Sequence, residues 1–325
     1  MVAREAGVSE TIVSYVVNNN RYVDKHKRQR VLEAIDRLGY RPNAAARMLK
    51  FKKSNHLIFV ADHIDNEHFG KLLAEMDRLL YNKGYFISLV QNRNDDEFIQ
   101  HIISRQFDGV IVSSISMREE HIKTLCDAGV PVVVLMNRDY PDLPEAAGRV
   151  YPGLYEGARQ CVRHLYAGGG RHIFYIDRIS QRNHFSDALD LRLAGFVDEM
   201  RALGLSGDDN IITGCKTEEE VVGRIVAMVN SGVPLDAVFA RNDRMAVIVM
   251  QAVKRLGLSI PGDVSVIGFD NSNLSRNISP PLTTMEINRE AVAGAAIAVL
   301  QSLFKTGSAE PVKLQTSLIV RETTR

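Results

Sequence analysis

The sequence predicts an α/β protein in which a helix-turn-helix headpiece precedes a body of two α/β lobes built on parallel sheets. Three observations carry this. Two short helical runs at the start are separated by a glycine turn, Ala6-Gly7-Val8-Ser9. From residue 57 onward, short apolar runs alternate with amphipathic helical stretches in two successive series. The charge is also divided: residues 1–54 hold 12 Lys/Arg against 5 Asp/Glu, a net +7, and the remainder 28 against 34, a net −6.

The headpiece comes first in order. Gly7 suits a left-handed turn and Ser9 suits an N-cap, so one helix ends and another begins there. Val8, Ile12, Val13, Val16 and Val17 fall on one side of the second helix, and Glu10, Thr11, Ser14 and Tyr15 on the other. Two short helices joined by a glycine-containing turn form a helix-turn-helix. Asp24 suits the cap of a third helix with a Val31, Ala34, Ile35, Leu38 stripe, and Gly39 suits its stop. A short helical run over residues 43–49, capped by Asn43, precedes the basic tail Lys50-Phe51-Lys52-Lys53. A basic headpiece on an acidic body favours contact with a phosphate backbone.

In the body, residues 57–61, 85–90, 109–113 and 131–136 read as strands, with helices between them marked by Leu72, Met76 and Leu80, by Ile99 and Ile102, and by Ile122 and Leu125. A second series places strands at 171–176, 210–212, 237–240 and 265–270, with helices at 189–203 and 218–230 among them. The strands are continuously apolar, as expected when helices cover both faces of a sheet.

At 325 residues the chain has room for two or three domains. Its three cysteines, Cys126, Cys161 and Cys215, are widely spaced, so neither a zinc site nor a disulfide framework is expected. No apolar run reaches membrane-spanning length and no signal peptide precedes the headpiece, which makes the bacterial cytoplasm the expected compartment.

The string from Ala6 to Leu49, with Arg41-Pro42-Asn43, resembles the lactose-repressor (LacI/GalR-type) family of transcription regulators. Further matches follow in order: Arg192-Leu193-Ala194-Gly195-Phe196, then Ile260-Pro261-Gly262-Asp263-Val264-Ser265-Val266-Ile267-Gly268-Phe269-Asp270-Asn271, then Pro281-Leu282-Thr283-Thr284. The resemblance implies a type I periplasmic-binding-protein fold in which the chain crosses three times between lobes. It divides the chain into a headpiece (1–41), a hinge and linker (42–54) and a body (55–325), with 55–155 plus 283–310 in one lobe and 156–282 plus 311–325 in the other. Members of the family usually carry several residues before the position of Met1, so the expectation is that the true start lies upstream.

On the DNA side, the second helix is expected in the major groove with its N-terminal residues at base edges. Ser9, Glu10, Thr11, Ser14, Tyr15 and Asn18 are the candidates for contact. Tyr15 stands where many members carry an arginine. It cannot reproduce arginine's bidentate reading of guanine, so an atypical half-site and a ring that touches only sugar and phosphate both stay open. Arg21, Lys25, Lys27 and Arg28 are candidate phosphate contacts. The resemblance implies that Asn43, Ala46 and Leu49 belong to a hinge helix that pairs with its dimer mate in the minor groove and wedges Leu49 between base steps. The partners implied are double-stranded operator DNA, a second copy of the chain and a small effector.

On the effector side, Asp270 and Arg192 match the family's effector-binding aspartate and arginine. His68, Phe69 and Asn242 match further contacts, and Ser113, Asn137 and Lys216 are positional candidates. Asp243 reads as a helix N-cap. A sugar or glycoside is the class the family points to first; a nucleoside-like ligand and a repressor without a ligand stay open. Pro152-Gly153 and the segment 180–190 depart from the family pattern.

Other readings fit less well. Gly168-Gly169-Gly170 lacks the lysine and spacing of a phosphate loop. Asp62, His63, Asp65, Glu67 and His68 match no metal-ligand spacing, so no metal or cofactor is expected. No nucleophile elbow points to an enzyme. A periplasmic-type sugar-binding protein without DNA-binding function is the alternative, and it would need a signal peptide and no headpiece.

Overall fold

The computed structural model describes residues 1–18, 21–41 and 53–325, the first of these stretches without the side chain of residue 18. The expected hinge residues Asn43, Ala46 and Leu49, and the Asn18 side chain, lie outside the described residues. The chain divides into two compact units, Met1–Ser54 and Asn55–Arg325.

In the first unit, α1 (Val2–Glu5) ends at Ala6 and Gly7 turns the chain at φ +61°. A side chain would strain that conformation. α2 (Glu10–Asn18) follows, and the Ser9 hydroxyl accepts from the Ile12 amide at 3.4 Å. α3 (Lys25–Arg37) is capped by Asp24, whose carboxylate accepts from the His26 and Lys27 amides at 3.1 and 3.2 Å. Val2, Ala6, Val16, Val31 and Ala34 form the core, with Val8, Ile12, Val13, Ile35 and Leu38 packed against it. Val17, expected in the same stripe, is half-buried outside this cluster. Full burial of Val31 alone is worth about 1.5–3 kcal/mol.

The second unit holds two six-stranded sheets. The first contains β1 (His56–Ala61), β2 (Phe86–Gln91), β3 (Gly109–Ser113), β4 (Val132–Leu135), β5 (Gly148–Tyr151) and β11 (Val312–Lys313). Its order is β2-β1-β3-β4-β5-β11, and every neighbouring pair is parallel. The first lobe's helices are α4 (Glu67–Tyr81), α5 (Asp96–Ser104), α6 (Glu119–Asp127) and α12 (Arg289–Thr306).

The second sheet contains β6 (Ile173–Ile176), β7 (Ile211–Ile212), β8 (Ala237–Ala240), β9 (Ser265–Phe269), β10 (Thr283–Ile287) and β12 (Thr316–Ile319). It runs β7-β6-β8-β9-β10-β12, parallel except for the antiparallel edge strand β12. Its helices are α7 (Leu154–Ala167), α8 (Leu191–Ala202), α9 (Glu218–Asn230), α10 (Asp243–Arg255) and α11 (Asn273–Asn277).

The chain passes between lobes three times, from β5 to α7, from β10 to α12 and from β11 to β12. Two of the expected lobe boundaries shift. Residues 283–287, expected in the first lobe, pair Thr283 with Ile267 and Met285 with Phe269 in the second sheet. Val312 and Lys313, expected in the second lobe, pair with Val150 and Tyr151 in the first. Apolar alternation marks a strand but not the sheet it joins; pairing partners are a tertiary choice.

Two glycines carry the close approaches. Gly153 caps α7 at φ +89°, with the Leu314 carbonyl oxygen 2.8 Å from where a Cβ would lie. Gly195 lets α8 settle on α7, because a Cβ there would meet the Tyr155 carbonyl and the Ala158 side chain. No helix among the described residues is long and apolar enough to cross a membrane.

Candidate functional site

On the headpiece, Ser9, Glu10 and Thr11 are exposed at the start of α2, Ser14 and Tyr15 are half-buried, and Lys25 is exposed at the start of α3. The Arg21 guanidinium lies over the Tyr15 ring, 5.4 Å from its centroid. A cation is thereby set against the one aromatic on this helix.

In the body, the parallel strands of both lobes end at a common cleft. Open α/β sheets bind ligands at their carboxyl ends, where strand order reverses. Those reversals fall between β1 and β3 and between β6 and β8. Asp62, directly after β1, accepts from Ser114 Oγ at 2.5 Å, Ser116 Oγ at 2.6 Å and the Ile115 amide at 2.9 Å. It also meets Arg178 Nη1 of the other lobe at 3.2 Å. Burial pushes its pKa up, but Arg178 and the three donors outweigh burial and hold the carboxyl below the usual range.

Beside this pair, Arg241 Nη1 reaches Asp190 at 2.7 Å and Ser186 Oγ at 2.5 Å, and stands 3.7 Å from Asp177. Asp177 is further satisfied by the Ser186 amide and hydroxyl and by Thr213. Asp190 caps α8 through the Arg192 and Leu193 amides.

The remaining end of the cleft is different. Arg192, on the first turn of α8, donates from Nη1 to the Arg241 carbonyl at 2.8 Å and lies 4.9 Å from the Phe269 ring centroid. Asp270 follows β9 at φ +99°, a region that side chains rarely adopt. Its amide donates to the Met285 carbonyl and its carbonyl accepts from Arg289, so the turn is held from both sides. His68, on the first turn of α4, stacks edge-on with Phe69, which does the same with Phe59. Burial, with Arg289 and Arg192 adding to it, pushes the His68 pKa down to about 4 against the pull of Asp270, so its ring is neutral.

His68 Nδ1, Arg192 Nε, Asp270 Oδ1 and Arg289 Nε are all shielded from solvent, and none has a hydrogen-bond partner among the described residues. Buried polar groups are ordinarily paired, so this cluster marks a place built to meet something else. It offers two guanidinium donors, one carboxylate acceptor, a neutral imidazole and aromatic faces.

Residues 2–43 match the family of bacterial regulatory proteins called the lacI family, and residues 162–324 match the periplasmic binding protein-like domain. The HTH-type transcriptional repressor PurR of Vibrio parahaemolyticus is 30% identical over 337 residues, covering 100% of this chain and 97% of that protein. The chain belongs to the lacI family. Another relative, the PurR repressor of Histophilus somni, is 29% identical and covers 100% of this chain and 98% of its own. The lac repressor dimer bound to operator and the anti-inducer ONPF superposes with a TM-score of 0.84 at 25% identity, covering 99% of this chain and 97% of that one. The CelR–cellobiose complex gives 0.70 at 25% identity, covering 99% and 98%.

This lacI-family chain is a DNA-binding transcriptional regulator, and the reading as a binding protein without DNA-binding function is not favoured. The structure brings His68, Phe69, Arg192 and Asp270 together and adds Arg289. The other candidates are partnered within the chain or exposed. Ser113 and Asn137 hydrogen-bond each other at 2.9 Å. Asn242 caps α10 by accepting from the Met245 amide at 3.0 Å, and Lys216 is exposed. Asp243 is not the cap that the sequence suggested: it turns inward to accept from Ser272 and Thr284 Oγ1, because these tertiary donors claim it. Burial, then Asp270, pushes its pKa up to about 6.

The sequence reading missed Arg178, Arg241 and Arg289, and treated Asp62 only as a mimic of a metal ligand. Asp62, Arg178 and Arg241 stand one or two residues past the end of an apolar strand, and that position was the available signal. A cavity of about 490 Å³ opens at the rim, lined by Ser116, Arg118, Lys123, Arg138, Tyr140 and Leu189 among others. It contains none of the cluster's four atoms, and of its lining residues Glu119 alone has a buried side-chain atom, Oε1, without a partner among the described residues. Two of its arginines are engaged, Arg138 with Asp187 and Arg118 with Asp96. The unpartnered cluster is the better mark of a site.

Proposed function

We propose that this regulator is a repressor that binds a pseudo-palindromic operator as a homodimer, and that a small sugar-like effector held by His68, Arg192, Asp270 and Arg289 controls its operator affinity. The observation that carries the effector site is the cluster of four solvent-shielded polar atoms, without partners among the described residues, at the end of β9 and the starts of α4, α8 and α12. A carboxylate beside guanidinium donors and an aromatic face suits a ring with several hydroxyls. The sugar reading is supported by the cellobiose held by CelR and the D-xylulofuranose held by a regulator from Alkaliphilus metalliredigens that is 27% identical. Whatever the effector's sign, its affinity and that of the operator are reciprocally coupled.

The test has two arms. A gel shift with the full chain on the DNA adjoining its own gene reads the operator function; absence of any salt-sensitive shift sinks it. Thermal stabilisation by a panel of monosaccharides, disaccharides and nucleosides reads the effector, since a ligand selective for the folded state raises stability. Stabilisation by nucleosides alone would replace the sugar reading.

A further inference from the structure

The crevice that a two-lobed fold offers to a ligand is, in this chain, bridged by its own side chains. Asp62 and Arg178 stand at the strand-order reversals of the two sheets, with side chains only 8% and 10% exposed. Asp62 is set in place by three donors of its own lobe, so the acceptor is preorganised before the lobes meet. Preorganisation decides whether a buried ion pair is net favourable, because the desolvation cost otherwise rivals the attraction.

A strap of the second lobe, residues 187–191, lies alongside. The Asp139 amide donates to the Leu189 carbonyl at 2.7 Å, and the Leu191 amide donates to the Asn137 carbonyl at 3.2 Å. Arg138 clamps the strap through Asp187 at 3.0 Å and also donates to the Ile115 carbonyl, whose residue's amide supports Asp62. The opposite rim is joined at its exposed edge, by the Asn273 amide to Glu67 at 3.0 Å, by Lys71 to the Asn273 side chain at 3.1 Å and by Arg244 at 3.8 Å from Asp65.

We infer that the cleft is latched shut by the Asp62–Arg178 pair and its strap without a bound small molecule. This reading rests on the proposed effector site for its regulatory meaning: the effector enters only the His68–Asp270 end and acts on lobes that are already closed. In such a protein the ligand does not supply the closing contacts. It meets a cleft whose closed state the chain already favours, and its differential contacts with that state set the response.

The two cross-lobe amides make the test direct. Leu191 opens α8, where an amide has no partner within the helix, so its protection from exchange reports the Asn137 contact alone. Hydrogen exchange is measured on the full chain free of small molecules and resolved to Asp139 and Leu191. Both amides should exchange at least about 100-fold more slowly than an unstructured chain. Arg178→Gln should accelerate both at least tenfold. Two in-lobe amides, Val110 bonded to Pro131 and Asp270 bonded to Met285, should keep their protection.

Asp62→Asn provides a second variant if Arg178→Gln does not fold, with the same expectation. Rapid exchange of both amides in the unliganded wild type overturns the latch. So does unchanged exchange in both variants. Neither operator nor effector is present, so this outcome is separate from failure of the ligand panel or of the gel shift.

Discussion

Arg192 Nη1 stops 4.0 Å short of Asp270 Oδ1, inside ion-pair range but beyond hydrogen-bond range. The two charges face each other across a gap with Arg192 Nε and Asp270 Oδ1 both unpartnered. None of the described residues closes this gap, whereas Arg241 and Asp190, on the same side of the cleft, are 2.7 Å apart.

The expected consequence concerns Asp270→Asn. Asparagine tolerates the positive φ of this position, so the turn should survive. Loss of the carboxylate removes the charge-assisted acceptor and should weaken effector binding about 10–100-fold, in line with the ~1.5–3 kcal/mol of a charged hydrogen bond. Titration calorimetry with the effector found by the panel checks this. Unchanged affinity would remove Asp270 from the site.

The DNA face separates reading from positioning. Glu10 is exposed at the N-terminus of α2; if it accepts from a cytosine amino group, Glu10→Ala should relax preference at one operator position by about 1–3 kcal/mol. Lys25→Ala should instead weaken binding on every sequence and reduce the slope of log K against log salt by about 1. Binding measured at several salt concentrations on randomised half-sites distinguishes the two. Equal losses on all sequences for Glu10→Ala would assign it to the backbone.

Much of the architecture was legible because it is written locally. The strand at Leu57 and the stripe through Val31, Ala34 and Leu38 follow from periodicity, and Gly7 and Ser9 from turn chemistry. β5 was not legible: Gly148-Arg-Val-Tyr is four residues long and alternates, too short to stand out. The choice between Asn242 and Asp243 as cap could not be made locally, since either side chain can cap a helix. It was decided by Ser272 and Thr284, some thirty and forty residues on. Half of the effector cluster came from the family motif around Arg192 and Asp270. Arg178 did not, because it lies outside every matched motif, and its partner Asp62 is found only by knowing which strand ends face each other.

The Arg241 network should be a major determinant of stability in the second lobe. Arg241→Met keeps the stem but removes the cation that pairs with Asp190 and Asp177, leaving them only the more distant charges of Arg192 and Arg178. Removing one partner of a buried ion pair commonly costs about 3–5 kcal/mol. Urea unfolding of the variant should show a loss of this size, and Arg241→Met with Asp190→Asn should recover part of it. A loss below about 1 kcal/mol would mean that the network is solvated on the unfolding timescale.

His68 makes a prediction about acid. Its pKa falls from the ordinary 6.5 to about 4, chiefly because burial penalises the imidazolium. Between those values the unfolded chain holds a proton that the folded chain does not, so stability rises with pH across the window and is lost as pH falls through it. The loss between pH 7 and pH 4 is up to about 3 kcal/mol for a shift of this size. His68→Gln cannot take up the proton, so its urea midpoint should fall less than that of the wild type over the same range. Above pH 7 the two curves should run parallel, because both side chains are then neutral. Parallel curves throughout, down to pH 4, would show that the ring titrates normally in the folded protein and lies in contact with water.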